Sequence, residues 1–177
     1  MGQRFIMTAF GKDRPGIIAD VTEMLYENGC NLEDTSMTLL AGEFTLILLF
    51  TAPSADSAGP LSKTCRRLEQ EKGISAFLRP LEAQRAVQSN PFFTRTIHVE
   101  GMDQAGIVYK VSRFLADNRI NIVNLKSMVT ASPESGTAMY VMDILVQIPD
   151  GTSMQPVERG LSEVADALNV DIVISGN

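Results

Sequence analysis

The sequence carries one motif twice, and this repeat constrains the fold more than any other feature of the chain. The first copy starts at Gly11 and the second starts ninety positions later, at Gly101. A gapless repeat of this kind indicates a duplicated structural module. The eight residues that recur in register are Gly11, Asp13, Gly16, Ile17, Val21, Leu25, Asn28 and Asn31 in the first copy, and Gly101, Asp103, Gly106, Ile107, Val111, Leu115, Asn118 and Asn121 in the second.

The length of the chain, 177 residues, accommodates two such modules of ordinary size. Between the copies lies a polar stretch that contains the helix-breaking pair Asn90-Pro91, which is typical of a linker. We therefore predict a first domain at residues 1–84, a linker at 85–92 and a second domain at 93–177.

The charge and hydropathy of the chain exclude some classes of function. The net charge is -6, and acidic residues outnumber basic ones in both halves. Direct binding of nucleic acid needs a surplus of Lys and Arg for the phosphates, so we do not expect it. The sequence has no apolar run near the roughly 18 residues that cross a membrane, and no signal-peptide pattern. We expect a cytoplasmic protein without a membrane segment.

The hydrophobic periodicity of each copy predicts the order strand-helix-strand-strand-helix-strand. In the first copy, apolar residues recur at helical spacing between residues 17 and 27, and strongly apolar residues between 44 and 51 are typical of a strand. Each helix has one apolar stripe, so two helices cover one face of a sheet. We predict an α+β protein of two tandem ferredoxin-like βαββαβ modules, with antiparallel sheets and helices on one face. The strands that flank the first helix are expected to pair in parallel.

The loop before the first helix has residues suited to a small charged ligand. The Asp13 carboxylate can cap the helix by accepting a bond from the Gly16 amide, and Pro15 suits a first helical turn. Free amides and the positive dipole end at a helix start attract a carboxylate. Asn31 and Asn121, beyond the helices, can donate and accept. Such a set could hold a zwitterion, although the loop residues also suit a plain helix start.

The run Gly11-Lys12-Asp13-Arg14-Pro15-Gly16, the later Gly29-Cys30-Asn31-Leu32 and the βαββαβ order resemble the ACT domain, a family of regulatory modules that bind amino acids between modules. Two tandem copies resemble the glycine cleavage system transcriptional repressor family. The resemblance implies a small amino acid as ligand, with glycine and serine as first candidates. The positions it implies for ligand contacts are Asp13, Arg14, Gly16 and Asn31, and in the second copy Asp103, Gly106 and Asn121. The second copy lacks the proline of the motif.

The resemblance thus implies an amino-acid-sensing regulatory protein that controls transcription indirectly, through a partner protein. Because the helices cover one face of each sheet, we also expect a homodimer. The alternative is an oligomerisation or protein-interaction module whose loops bind no ligand. We find no nucleophile, base and orienting group in a catalytic pattern, so we do not expect an enzyme. His98 is the single histidine, and no metal site or cofactor is expected.

Overall fold

The computed structural model of the chain describes residues 2–82, 91–132 and 136–176. It contains two compact units, Met1–Val87 and Gln88–Asn177. Most of the predicted linker, 85–92, lies outside the described residues, so the domain boundaries stay predictions. The proline and glycine within residues 132–136 also predict a turn in the second copy, and part of that turn lies outside the described residues. The helices and strands of the first unit are β1 (Gln3–Lys12), α1 (Ile17–Glu27), β2 (Asn31–Leu40), β3 (Glu43–Ala52), α2 (Ala58–Lys72) and β4 (Ser75–Pro80). Those of the second are β5 (Phe92–Met102), α3 (Ile107–Asp117), β6 (Asn121–Ala131), β7 (Ala138–Pro149), α4 (Met154–Leu168) and β8 (Val170–Gly176).

Each unit contains a four-stranded sheet, in the order β2-β3-β1-β4 in the first and β6-β7-β5-β8 in the second. All neighbouring strands pair antiparallel. The prediction of two tandem βαββαβ modules is confirmed. The expected parallel pairing across the first helix is wrong, because β3 lies between β1 and β2 and satisfies the inner edge of both strands.

The core of each unit lies between its sheet and its two helices. In the first unit, inward residues of β1 and β3 alternate with exposed ones, as the period of a half-buried strand requires. The apolar stripes of α1 and α2 pack on this face, with Val21 and Leu61 fully buried. The opposite face of the sheet is open, and there the rings of Phe10 and Phe77 stack with centroids 6.0 Å apart. The two units have separate buried clusters that share no residue.

Strands β2 and β6 are long edge strands with little cover. Every residue of β2 is exposed, including Leu40, whose surface is 75% accessible. A tight turn at Ala41 and Gly42, both with positive φ, returns the chain directly into β3. One side of β2 pairs with β3, and the other presents unpaired backbone groups that can accept another strand.

Candidate functional site

The loop between β1 and α1 contains four consecutive residues of the repeated motif, 13–16. The helix begins at Ile17, and the residue that caps it is Gly16 itself, in the left-handed region with φ of 87°. No side chain caps α1, so the expected cap by the Asp13 carboxylate is wrong. Pro15 lies in the turn that precedes the helix rather than in its first helical turn. The backbone explains both differences, because the Asp13 amide donates to Gly42 O at 2.9 Å and holds the loop against the β2–β3 turn.

The same geometry recurs in the second unit despite its different sequence. Gly106 caps α3 with φ of 99°, no side chain caps that helix, and the Asp103 amide donates to Ala138 O at 3.0 Å. A Cβ added at Gly16 or Gly106 would meet no atom within 4 Å, so open space lies beside both glycines. Each helix start therefore presents amides with no side-chain partner, which suits an anionic group.

Arg14 belongs to an ion-pair network that joins this loop to the end of α2. Its guanidinium lies 2.5 Å from Asp20 Oδ2, and Lys72 Nζ lies 3.2 Å from Asp20 Oδ1. The hydrogen bonds from Arg14 and then Lys72 hold the pKa of the Asp20 carboxyl below its usual range. The sequence alone did not indicate this role of Asp20 and Lys72. Asp20 follows Arg14 by six residues, but contact with Lys72 depends on helix packing.

In the second unit a neutral contact replaces this network. Gln104 stands where the first copy has Arg14, and its side-chain amide donates to the backbone oxygen of Leu168, in the last turn of α4. Both loops are therefore tied to the end of the second helix of their module, the first through charges by way of Asp20 and the second by an amide. An anionic ligand competes with Asp20 for Arg14, whereas Gln104 offers no charge to such a ligand.

Asn31 does not lie beside the loop of its own module. It pairs in register with Thr51, which in turn pairs with Arg4 near the start of β1. The loop follows Lys12, at the other end of β1, and eight residues of strand span about 25 Å. Asn121 has the equivalent position, where its side-chain amide donates to Gln147 Oε1 at 3.2 Å. One module therefore does not bring its own predicted ligand residues together.

Comparison with known proteins identifies the family of this chain. A model of the ACT domain matches residues 3–78. A UPF0237 protein of Methanopyrus kandleri is 33% identical over 85 residues, which are 48% of this chain and 94% of that protein. The chain belongs to the ACT-domain family. Its second module repeats the βαββαβ fold and the glycine-capped helix of the first.

Two further proteins are similar to this tandem ACT protein over nearly its whole length. The glycine cleavage system transcriptional repressor of Escherichia coli is 26% identical over 167 residues, which cover 93% of this chain and 85% of the repressor. The crystal structure of an unknown protein from Galdieria sulphuraria has a TM-score of 0.80 and 29% identity, and covers 99% of this chain and 98% of that one. The chain is thus an ACT-domain protein related to the repressor.

Within the residues that the structure describes, no helix combines the length and the apolar character needed to cross a membrane. Among the same residues, no three His, Cys, Asp or Glu side chains are placed to hold a metal ion together.

His98 lies on the open face of the second sheet, where its Nδ1 is 2.8 Å from Asp143 Oδ1 and its Nε2 is 3.7 Å from Glu100 Oε2. The bond with Asp143, more than that with Glu100, raises the pKa of the imidazole. A raised pKa in the folded state adds stability below the unfolded value of about 6.5, and this is lost as the pH rises through the folded value. All three side chains are well exposed, so we expect the pairs to contribute less than ~1 kcal/mol to the free energy of unfolding.

The unfolding midpoints of the wild type and of His98→Gln should therefore differ more at pH 5.5 than at pH 8.5. An equal difference at the two pH values would contradict this.

Proposed function

We propose that this tandem ACT protein is an amino-acid-sensing regulator that acts on transcription through a partner protein. Membership of the ACT family supports the sensing role, and similarity to the E. coli repressor supports the role in transcription. The net charge of -6 favours action through a protein rather than directly on DNA. We propose a cytoplasmic location on the same grounds.

One observation carries the proposal: both loops end in a left-handed glycine that caps the helix without a side chain and has open space beside it. Two different sequences, Arg14-Pro15 and Gln104-Ala105, keep the same backbone. The N-cap residues of α2 and α4 also make no side-chain cap bond, so what distinguishes the starts of α1 and α3 is the left-handed glycine. A glycine brings no side chain to the first amides and leaves room there for an external anion such as an amino-acid carboxylate.

We further propose that a complete site forms between two copies of the chain. Asn31 begins β2 and the loop lies near the end of β2, so an antiparallel pair of β2 edges from two copies brings Asn31 of one near the loop of the other. The exposed backbone edge of β2 supports such pairing. In this homodimer the ligand carboxylate binds the amides after Gly16 with Arg14, and its ammonium binds the Asp13 carboxylate and the Asn31 side-chain oxygen. Asp103, Gly106 and Asn121 form the second, weaker site.

The proposal is tested by thermal unfolding with each of the twenty amino acids, beginning with glycine and serine. A ligand present at 100 times its dissociation constant stabilises the folded state by about 2.7 kcal/mol. We expect the unfolding midpoint to rise by about 5 °C or more. Asn31→Ala removes a hydrogen bond to a charged group, worth about 1.5–3 kcal/mol, and should weaken binding by one to two powers of ten.

Asn121→Ala is the matched control, because Asn121 has the same place in the module that lacks the proline and the arginine. It should weaken binding less than Asn31→Ala does. If no amino acid shifts the midpoint, the loops only start helices and the chain is a ligand-free interaction module. If Asn31→Ala binds as the wild type does, the site between copies is wrong.

A further inference from the structure

The outer surface of α3 carries a stripe of four side chains, of which two are basic, one is aromatic and one is acidic. Lys110, Arg113, Phe114 and Asp117 follow one another at the spacings three, one and three, which place them on one side of a helix. They line a groove of ≈ 420 Å³ between α3 and α4. Phe114 forms the floor of the groove, where its ring lies so close to Gly160 that a Cβ there would clash with it.

The charges of this stripe are incompletely satisfied within the module. Arg113 pairs with Asp117 at 3.1 Å along the helix, and both side chains remain more than half exposed. No acidic side chain among the described residues lies within ion-pair distance of Lys110. Beside the stripe, Tyr109 has 70% of its surface accessible. The stripe therefore has a free cation at one end, an acid at the other and exposed aromatic surface along it.

The equivalent surface of the first module differs. The repeat aligns Lys110, Arg113, Phe114 and Asp117 with Asp20, Glu23, Met24 and Glu27. Two of those acids are already bound across the helices, Asp20 to Lys72 at 3.2 Å and Glu27 to Arg67 at 3.0 Å. The stripe of α1 thus has three acids and no base of its own, so it does not complement a copy of itself. Of the two stripes, only that of α3 combines both signs.

We propose that α3 binds α3 of a second copy of this chain across a two-fold axis. A two-fold interface requires a patch that complements itself. When two copies of α3 run antiparallel, with the axis between Arg113 and Phe114, Lys110 faces the partner's Asp117 and Arg113 faces the partner's Phe114. Lys110 and Asp117 are two turns apart, about 10 Å, so both ion pairs form at once.

The contacts in this pairing are of known kinds. The dimer has two equivalent ion pairs, each between Lys110 of one copy and Asp117 of the other. Each Arg113 guanidinium can lie on the partner's aromatic ring while it still bonds Asp117 of its own helix. The interface is on the helical side of the module, so it is separate from the β2 edges and from both loops. Self-association of the chain through this interface depends on charge, so it weakens as the salt concentration rises.

The test is sedimentation of the full chain without amino acids, at tens of micromolar and low salt. By symmetry, Lys110→Glu replaces two attractive pairs with two repulsive ones, and Asp117→Lys does the same. Each variant should sediment as a smaller assembly than the wild type does, because the α3 interface is lost. Its dissociation constant for self-association should be raised tenfold or more. Thermal unfolding checks that each variant folds, which these exposed positions allow.

An equimolar mixture of the two variants should associate again, because opposite charges then face each other at both ends of the stripe. The double variant Lys110→Glu/Asp117→Lys should likewise recover the wild-type assembly. Glu23→Lys, the matched reversal on the stripe of α1, should sediment as the wild type does. Single variants that associate normally, or a mixture that does not recover, would overturn the proposal, as would a wild-type chain that fails to associate. Since no amino acid is present, these outcomes are separate from those of the ligand screen.

Discussion

Phe50→Ala should strongly lower the unfolding midpoint of the first module and leave that of the second module unchanged. Phe50 is fully buried in β3, and its ring stacks on Phe5 with centroids 5.8 Å apart. Removing a buried phenylalanine side chain costs about 3–5 kcal/mol, from lost burial and from the cavity that remains. For a module of this size each kcal/mol lowers the unfolding midpoint by roughly 4–8 °C, so we expect the midpoint of the first module to fall by more than ~10 °C.

The second module should keep its own midpoint, because its buried cluster shares no residue with that of the first. Differential scanning calorimetry would resolve the two transitions in the variant. Ile144→Ala is the converse change, since Ile144 is fully buried in β7 of the second module. It should lower the free energy of unfolding of the second module by about 2–5 kcal/mol and leave the first transition in place. A single transition that shifts as a whole in both variants would contradict the separation.

The elements of both modules followed from the sequence because their signals are local. The spacing of apolar residues predicts the helix from Ile17 to Glu27, and the strongly apolar run between residues 44 and 51 predicts β3. These patterns depend on residues within about ten positions of each other. A helix or strand with its own buried face therefore follows from the sequence directly, because that face sets the spacing of its apolar residues.

The candidate site was harder to predict, because its geometry depends on register between distant strands. Asn31 is close to the helix in sequence, yet it starts a strand whose partners place it near Arg4, at the far end of the sheet. The Asp13 cap failed for a related reason, since the bond from its amide to Gly42 fixes the loop. Neither strand register nor a bond between two turns leaves a periodic signal.

Gly11 and Gly101 recur in the motif because of packing, whereas other residues of the same motif lie in the candidate ligand loops. Both glycines were matched in the repeat that indicated the ligand loop, but both lie before it, where strands pack closely. A Cβ on Gly11 would come 2.9 Å from the backbone oxygen of Gly73, and a Cβ on Gly101 would come 2.5 Å from Val170 Cγ1. Close approach of backbones explains their recurrence without a ligand. Gly16 and Gly106 differ from them, since they have positive φ and open space beside them.

Gly101→Ala should therefore destabilise the second module strongly, although it adds a single methyl group. The new Cβ would also lie 2.9 Å from Val170 Cβ and 3.1 Å from Val170 Cα, so turning one side chain cannot relieve the overlap. Overpacking of this kind costs about 1–3 kcal/mol, and contact with backbone places this substitution near the upper value. We expect the midpoint of the second module to fall by about 10 °C or more in calorimetry. Gly59→Ala is the control, because Gly59 lies in α2 with no atom within 4 Å of an added Cβ, and helix propensity there favours alanine by up to ~1 kcal/mol. If Gly101→Ala unfolds at the wild-type temperature, β5 and β8 are not as close as the structure places them.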